Sequence, residues 1–332
     1  TAFDLNTIPS VTLGTVEVLR DGASAQYGSD AIAGVINLRL REAREGGGLT
    51  LNYGQYDTSF DTARGSHDRK DGIQRSVAGW VGLPLGDEGF VTVSGELQSR
   101  DATNRSDYAA PAATPNASTT TVLGRFGDPD VQAQSLWFNA GSPIGSAGWS
   151  AYAFGGVQHK DTVSAATARA YNNANNVVSV YPNGFLPKIA TEIFDYNAYA
   201  GVKGAAAGID WDLSAGYGRN TLDYRTIDSI NASYGAASKR EFASGGLEYE
   251  QIIVGLDGVK PLEIGLYEPL NLAFGLEYRN EAFTQTAGEP QSYNKLDVAQ
   301  GGTGQGGGAQ GFPGFTPANA VDVDRHNWSA YI

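Results

Sequence analysis

From residue 48 onward the chain repeats one pattern: segments of about ten residues in which apolar and polar side chains alternate, with turns between them. In "FVTVSGELQS", Val91, Val93 and Leu97 share a face with Gly95, and Thr92, Ser94, Glu96 and Gln98 share the other. In "IDWDLSAGYG", Ile209, Trp211, Leu213, Ala215 and Tyr217 oppose Asp210, Asp212 and Ser214. In "NLAFGLEYR", Leu272, Phe274, Leu276 and Tyr278 oppose Asn271, Glu277 and Arg279. Successive side chains of a strand point to opposite faces, so each segment describes a strand with one apolar and one wet side. Few architectures accept a long run of such strands.

The connections alternate in length. "LGDEG" (85–89), "SPIGSAG" (142–148) and "GAAAGI" (204–209) are short, whereas the polar stretches at about 100–131, 161–192, 222–240 and 286–325 are long. Tight turns at one end and long loops at the other are the layout of an outer-membrane barrel, and the spacing predicts roughly nine complete strands and the beginning of another at "RHNWSAYI". The Gly-rich tract "QGGTGQGGGAQGFPGF" falls in the last long loop. Aromatics near strand ends (Tyr53, Tyr56, Trp80, Phe90, Trp149, Tyr196, Trp211, Tyr278 and Phe283) are expected to form the interfacial girdle of such a barrel. A soluble antiparallel sandwich or a β-solenoid also alternates and stands as the competing architecture.

Composition narrows the function. There is no Cys, which excludes disulfides and thiolate metal sites. The three His residues, His67, His159 and His326, are far apart and form no short ligand pair, so neither a metal nor a cofactor is expected. The acidic stretches "GDPD" (127–130) and "DVD" (322–324) lack the regular ligand spacing of an EF-hand loop. A formal charge of −13 with scattered Lys and Arg argues against nucleic acid as a partner. No apolar run of about 18 residues is present, which excludes a spanning helix but not spanning strands. No His-centred spacing suggests a catalytic site, so an enzyme is not expected.

The front of the chain has a different character. "VEVLRDGASAQYGSDAIAGVINLRL" (16–40) begins and ends as a strand, with a loop of small residues and one predicted helical turn between, capped by Ser29 or Asp30 and stopped by Gly34. "REAREGGG" (41–48) reads as a linker. The order of strand, small-residue loop, "YGSDAIAGVIN" and strand closely resembles the C-terminal end of the plug domain in TonB-dependent outer-membrane receptors. The stretches "YPNGFLPKI" (181–189), "GGLEYEQ" (245–251), "EPLNLAFGLEYRNEAF" (268–283) and "GFPGF" (311–315) resemble the barrel of the same family.

The resemblance implies an all-β chain: an antiparallel transmembrane β-barrel, represented by about nine to ten strands of a larger one, with the C-terminal piece of an α/β plug. Residues 1–45 are then plug and 46–332 the N-terminal part of the barrel. The front of the plug, the segment that binds the energy-coupling protein TonB, and about half of the strands are expected outside these residues. The plug motif comprises Glu17, Arg20, Asp21, Gly22, Tyr27, Gly28, Asp30, Gly34 and Asn37. Its small residues bury little apolar area and so open at low cost. Glu17, Arg20, Asp21 and Arg39 are expected to pair with lumen groups such as Asp210, Asp212, Glu277 or Arg279.

The function implied is TonB-dependent uptake of a scarce nutrient across the outer membrane of a Gram-negative bacterium. Outer-membrane lipid surrounds the barrel, and a small extracellular ligand, a ferric siderophore first among the family's cargoes, is captured by the long loops. Cobalamin, haem and oligosaccharides are the alternative cargoes. Tyr181, Phe185, Lys188, Phe312 and Phe315 are the candidate ligand contacts, since aromatics with a few polar groups stack on such molecules; packing of the loops on one another is their bland role. A passive porin or a structural β-protein is the competing class, and the plug-like segment argues against a porin.

Overall fold

The computed structural model describes residues 8–20, 34–265 and 269–332. Two strands at the front, β1 (Leu13–Leu19) and β2 (Val35–Leu40), pair antiparallel, with Val16 facing Leu38 and Glu17 facing Asn37. Then come β3 (Gly47–Thr62), β4 (Gly65–Leu85), β5 (Gly89–Arg100), β6 (Asp130–Ile144), β7 (Trp149–Ala165), β8 (Lys188–Ala206), β9 (Ile209–Ile227), β10 (Phe242–Leu262), β11 (Leu270–Ala287) and β12 (Val321–Tyr331). These last ten form one antiparallel sheet in strict chain order, from β3 at one end to β12 at the other. Among the described residues β3 and β12 each pair on one side only.

The register confirms the alternation residue by residue. Leu213, Leu256 and Leu276 lie side by side across β9, β10 and β11, as do Tyr217 and Ile252 two levels further along. Leu213 is 48% and Leu276 54% exposed, with no second layer over them. Their intervening neighbours face the other way, where Asp212 accepts a hydrogen bond from Tyr152 and Glu277 pairs with Arg279. A sheet with a continuous bare apolar face and a wet polar face is the wall of a membrane barrel. It is not the half of a sandwich, whose apolar faces meet.

Long loops occupy one end, at 101–129, 166–187, 228–241 and 288–320, and short turns the other. The turn between β8 and β9 is two residues, Ala207 (φ 55°) and Gly208 (φ 69°). Positive φ at both centres gives the twist that a tight hairpin needs. One short turn, between β3 and β4, belongs to the long-loop end.

Strand lengths depart from expectation. Strands of about ten residues cross the hydrocarbon, yet β4 and β10 have 21 residues and β8 and β9 have 19. Beyond the lipid both faces are wet, so the apolar–polar alternation fades while backbone pairing continues. The aromatic girdle also needs correction. Trp149, Trp211 and Tyr278 share the outward face, but Trp80, Phe90 and Phe283 lie on the inner one, level with Ser94, Pro84 and Tyr249.

The long loops have a core of their own. Ile230, Ala232 and Phe242 are fully buried there, and Ala309 nearly so. Asn231 bridges to Ala309, and Gln310 N–H donates to Ile230 O at 3.1 Å, so the last loop folds against the one before it.

Candidate functional site

The inner face of the wall carries the β1–β2 hairpin, and small polar contacts at the hairpin's base hold it there. Thr12 and Ser94 hydroxyls meet at 2.7 Å, both buried. Ala43 N–H donates to Thr92 Oγ1 at 2.9 Å, and Asn139 Nδ2 donates to Arg41 O at 3.1 Å. Arg41 is the organising residue. Its guanidinium donates to Val11 O and Leu13 O and lies 4.5 Å from the centre of the Trp80 ring. The inward turn of Trp80 therefore has a cause: it is the platform for the residue that joins the hairpin to the wall. Gly82 allows this close approach, because a Cβ there would sit 2.7 Å from Ala43 O and 2.8 Å from Glu45 O.

Above this base, aromatic rings lie across the wall. Tyr152, Phe154 and Tyr199 stack nearly parallel, with centroids 6.4 and 5.2 Å apart. Each large ring needs a bare strand beside it. A Cβ on Gly156 would lie 2.4 Å from Trp137, on Gly201 2.4 Å from Tyr152, and on Gly216 2.1 Å from Tyr199. A lumen cavity of about 580 Å³ opens between the rings of Phe154 and Tyr199 and Leu38 and Leu40 of the hairpin. Its far side is polar. Glu281 accepts from Tyr249 OH and from Arg325 Nε, and Asn220 Nδ2 donates to Asp195 at 3.0 Å. Carboxylates here are held by hydrogen bonds from neighbouring Tyr and Asn side chains and, at Glu281, by the charge of Arg325. The arrangement offers aromatic faces beside hydrogen-bonded polar groups.

The plug-motif residues divide between those described and those not. Glu17 accepts from Asn37 Nδ2 at 2.9 Å and pairs with Arg39 at 3.4 Å, so these charges bridge the hairpin itself and not the wall. On the wall, Asp212 engages Tyr152, and Glu277 engages Arg279. Among the described residues, Glu17 and Arg39 pair within the hairpin and Glu277 with Arg279 within the wall in place of the expected plug-to-wall pairs, since the nearer partner costs less side-chain ordering. Arg20 is exposed, and Gly34 closes on β1 with φ 143°, where a Cβ would meet Leu19 O at 2.4 Å. Asp21, Gly22, Tyr27, Gly28 and Asp30, with the predicted helical turn, lie outside the described residues.

The loop residues expected at the ligand are placed as follows. Tyr181 and Phe185 stack at 4.4 Å, and Phe185 is only 4% exposed. Tyr181 OH donates to Ser229 O at 3.2 Å, and burial pushes its phenol pKa up. Lys188 pairs with Asp228 at 2.8 Å. Phe312 and Phe315 pack edge-on against each other and against Tyr224, with centroids 5.3–5.9 Å apart. Two groups result, Tyr181/Phe185 and Phe312/Phe315, each engaged in loop packing. In the "GDPD" stretch, Asp130 is taken up by Arg125 at 2.9 Å and by Ala102 N–H at 2.8 Å.

Thr12, Arg41, Trp80, Ser94, Asn139 and the rings over glycine were not singled out from the sequence. One signal was there: Trp80 falls on the side of its strand shared with Ser76 and Ala78, so it breaks the apolar–polar alternation inward.

Residues 1–35 match the family model described as TonB-dependent Receptor Plug Domain. Among solved structures, the chain is similar to a mutant of the ferric enterobactin receptor PfeA from Pseudomonas aeruginosa. The TM-score is 0.60 at 14% identity over 99% of this chain and 43% of that one. It is also similar to the siderophore receptor PirA from Acinetobacter baumannii, with a TM-score of 0.55 at 16% identity over 91% of this chain and 39% of that one. The chain thus spans less than half the length of these receptors. Proteins of this family are non-enzymatic transporters of the Gram-negative outer membrane, and the bare apolar face is the surface such a wall presents to lipid. Residues 1–35 thus match the plug domain of TonB-dependent receptors, and the ten strands behind them have the fold of such a receptor's barrel wall.

Proposed function

We propose that this chain is the plug end and the first ten barrel strands of a receptor that imports a ferric siderophore by TonB-driven displacement of the plug. The observation that carries the reading is the anchorage of the β1–β2 hairpin. It sits on the inner wall through the Thr12–Ser94, Ala43–Thr92 and Asn139–Arg41 hydrogen bonds and the Arg41–Trp80 stack. Neutral hydrogen bonds contribute about 0.5–1.5 kcal/mol each, and a cation over a ring about 0.5–2 kcal/mol. The sum is a few kcal/mol, enough to hold the stopper and small enough for a mechanical pull to release it.

The mechanism has no covalent step. Ligand enters at the long-loop end, where Tyr181, Phe185, Lys188, Phe312 and Phe315 lie. The plug then yields, and the ligand passes the stacked rings of Tyr152, Phe154 and Tyr199. The siderophore assignment is supported by the cargo named for the two receptors of like fold. Cells making the full receptor, with and without TonB, are to be assayed for uptake of an iron-55-labelled catecholate siderophore, with labelled cobalamin, haem and an oligosaccharide in parallel. Uptake of the siderophore only in the TonB-containing strain is expected. Equal uptake in both strains overturns the energy-coupled reading, and TonB-dependent uptake of another member of the panel overturns the cargo.

A further inference from the structure

We propose that His159, Asp161 and Glu192 form a binding site for a divalent transition-metal ion on the outward face of the barrel, at the long-loop rim. The site lies on the opposite side of the wall from the lumen. His159 and Asp161 are two residues apart on β7, so they share a face, and Glu192 of β8 stands directly across the ladder from Asp161. The face is the outward one, because Phe194 stands across from His159 and Val157 follows on the same side.

The geometry suits a small ion. His159 Nε2 is 3.0 Å from Glu192 Oε1 and 3.9 Å from Asp161 Oδ2, and the three donor atoms all lie within 4.8 Å of one another. A tetrahedral Zn²⁺ with bonds of about 2.0–2.1 Å holds its ligands about 3.3–3.4 Å apart, between the two observed separations. On the other side of the ring, Nδ1 lies 3.3 Å from the Gln134 side-chain amide. A partner on Nδ1 fixes the ring and leaves Nε2 turned to the carboxylates, as the outer partners of metal-bound histidines do.

Charge gives an independent reason. Asp161, Glu192 and Asp223 stand in one row across β7, β8 and β9. Like charges directly opposite destabilise a sheet. Among the described residues, His159 is the one basic side chain within 4 Å of Asp161 and Glu192, and Asp223 has none. A cation in the row relieves that repulsion and ties β7 to β8 where the 166–187 loop springs from the wall. A groove of about 370 Å³, lined by Arg75, Leu97, Gln132 and Gln134, opens beside His159 and Asp161 and leaves room for a water as fourth ligand. One imidazole with two carboxylates favours Zn²⁺ and its neighbours over Mg²⁺, which prefers oxygen alone.

The test is Zn²⁺ titration of the intact, chelator-stripped receptor in detergent by calorimetry, with Mg²⁺ as comparator. The His159→Gln, Glu192→Gln and His326→Gln variants are run alongside, each checked for the folded barrel by its resistance to dodecyl sulfate. The expected result is one saturable Zn²⁺ site, weakened about tenfold or more by either of the first two substitutions and unchanged by the third. No saturable binding, equal binding of Mg²⁺, or affinity indifferent to both His159→Gln and Glu192→Gln overturns the proposal. None of these outcomes depends on whether the receptor imports a siderophore.

Discussion

Asn231 is where the long loops are most tightly interlocked, and removing its side chain should free one of them. The residue is fully buried. Its Nδ2 donates to Gln291 O and to Asn294 O, both at 2.8 Å, and its Oδ1 accepts from Ser233 Oγ at 2.7 Å and from Ser233 N at 3.3 Å. Asn231→Ala removes all of these and leaves Gln291 O without this donor, while Asn294 O keeps only Gly308 N–H at 3.3 Å. At about 1 kcal/mol per bond the loss is about 3–4 kcal/mol. It falls on the local opening of the 288–320 loop, because the hydrogen bonds described for this side chain all go to loop residues. A tenfold change corresponds to about 1.4 kcal/mol, so amide exchange in residues 288–310 should rise about 100- to 1,000-fold. The reporters are Ala309 N–H, bonded to Ser292 O, and Thr303 N–H, bonded to Ser233 O. Hydrogen exchange read by mass spectrometry on the intact receptor measures this, with β9 peptides as the unchanged reference. Asn231→Asp should be at least as severe, since it turns a carboxylate oxygen toward the same two carbonyls. Exchange in 288–310 that rises less than about threefold would refute the idea that this side chain locks the loops.

Gly216→Ala should destabilise the wall by about 1–3 kcal/mol, because the new Cβ would fall 2.1 Å from the Tyr199 ring; urea unfolding should show the loss partly recovered when Tyr199→Ala is added. Arg41→Ala should raise exchange in residues 9–19 about tenfold or more, and Arg41→Lys should not fully restore it, since an ammonium cannot reproduce both the carbonyl bonds and the stack on Trp80. The 101–129 loop should loosen only in strong acid. Asp107 accepts from Thr62 Oγ1 and from Tyr108 N–H and faces Arg64, and these hold its carboxyl below the ordinary aspartate value of 3.8. A depressed folded-state pKa contributes stability that is present above the unfolded value and is lost as pH falls through the folded one. Exchange in residues 101–129 followed down a pH series should therefore break below 3.8, and Asp107→Asn should diminish the break, leaving the part that rests on the Asp71–Arg105 and Asp130–Arg125 pairs. A break above that value would contradict the assignment.

The lipid-facing and lumen-facing sides of the wall were legible in the sequence wherever lipid enforces a period of two. Leu272 to Tyr278, Val91 to Leu97 and Ile209 to Tyr217 each show it, and hydrocarbon tolerates no exception. The chain order of the strands was legible for a related reason: short turns leave antiparallel neighbours no alternative. The plug segment announced itself through its order of strand, small loop and strand. Outside the hydrocarbon the constraint lapses. Strand ends run on past the last apolar residue, and the loops could not be placed against one another from composition.

Tertiary structure alone decided which side Trp80 serves, because its inward position depends on Arg41, thirty-nine residues earlier. It alone decided that the Tyr181–Phe185 and Phe312–Phe315 pairs pack their own loops. The same holds for the approach of Glu192 to His159, which depends on a ladder register reaching across the 166–187 loop. A strand's own residues state which way each side chain points. What that side chain meets is settled by the register of a neighbour whose sequence carries no mark of the partnership.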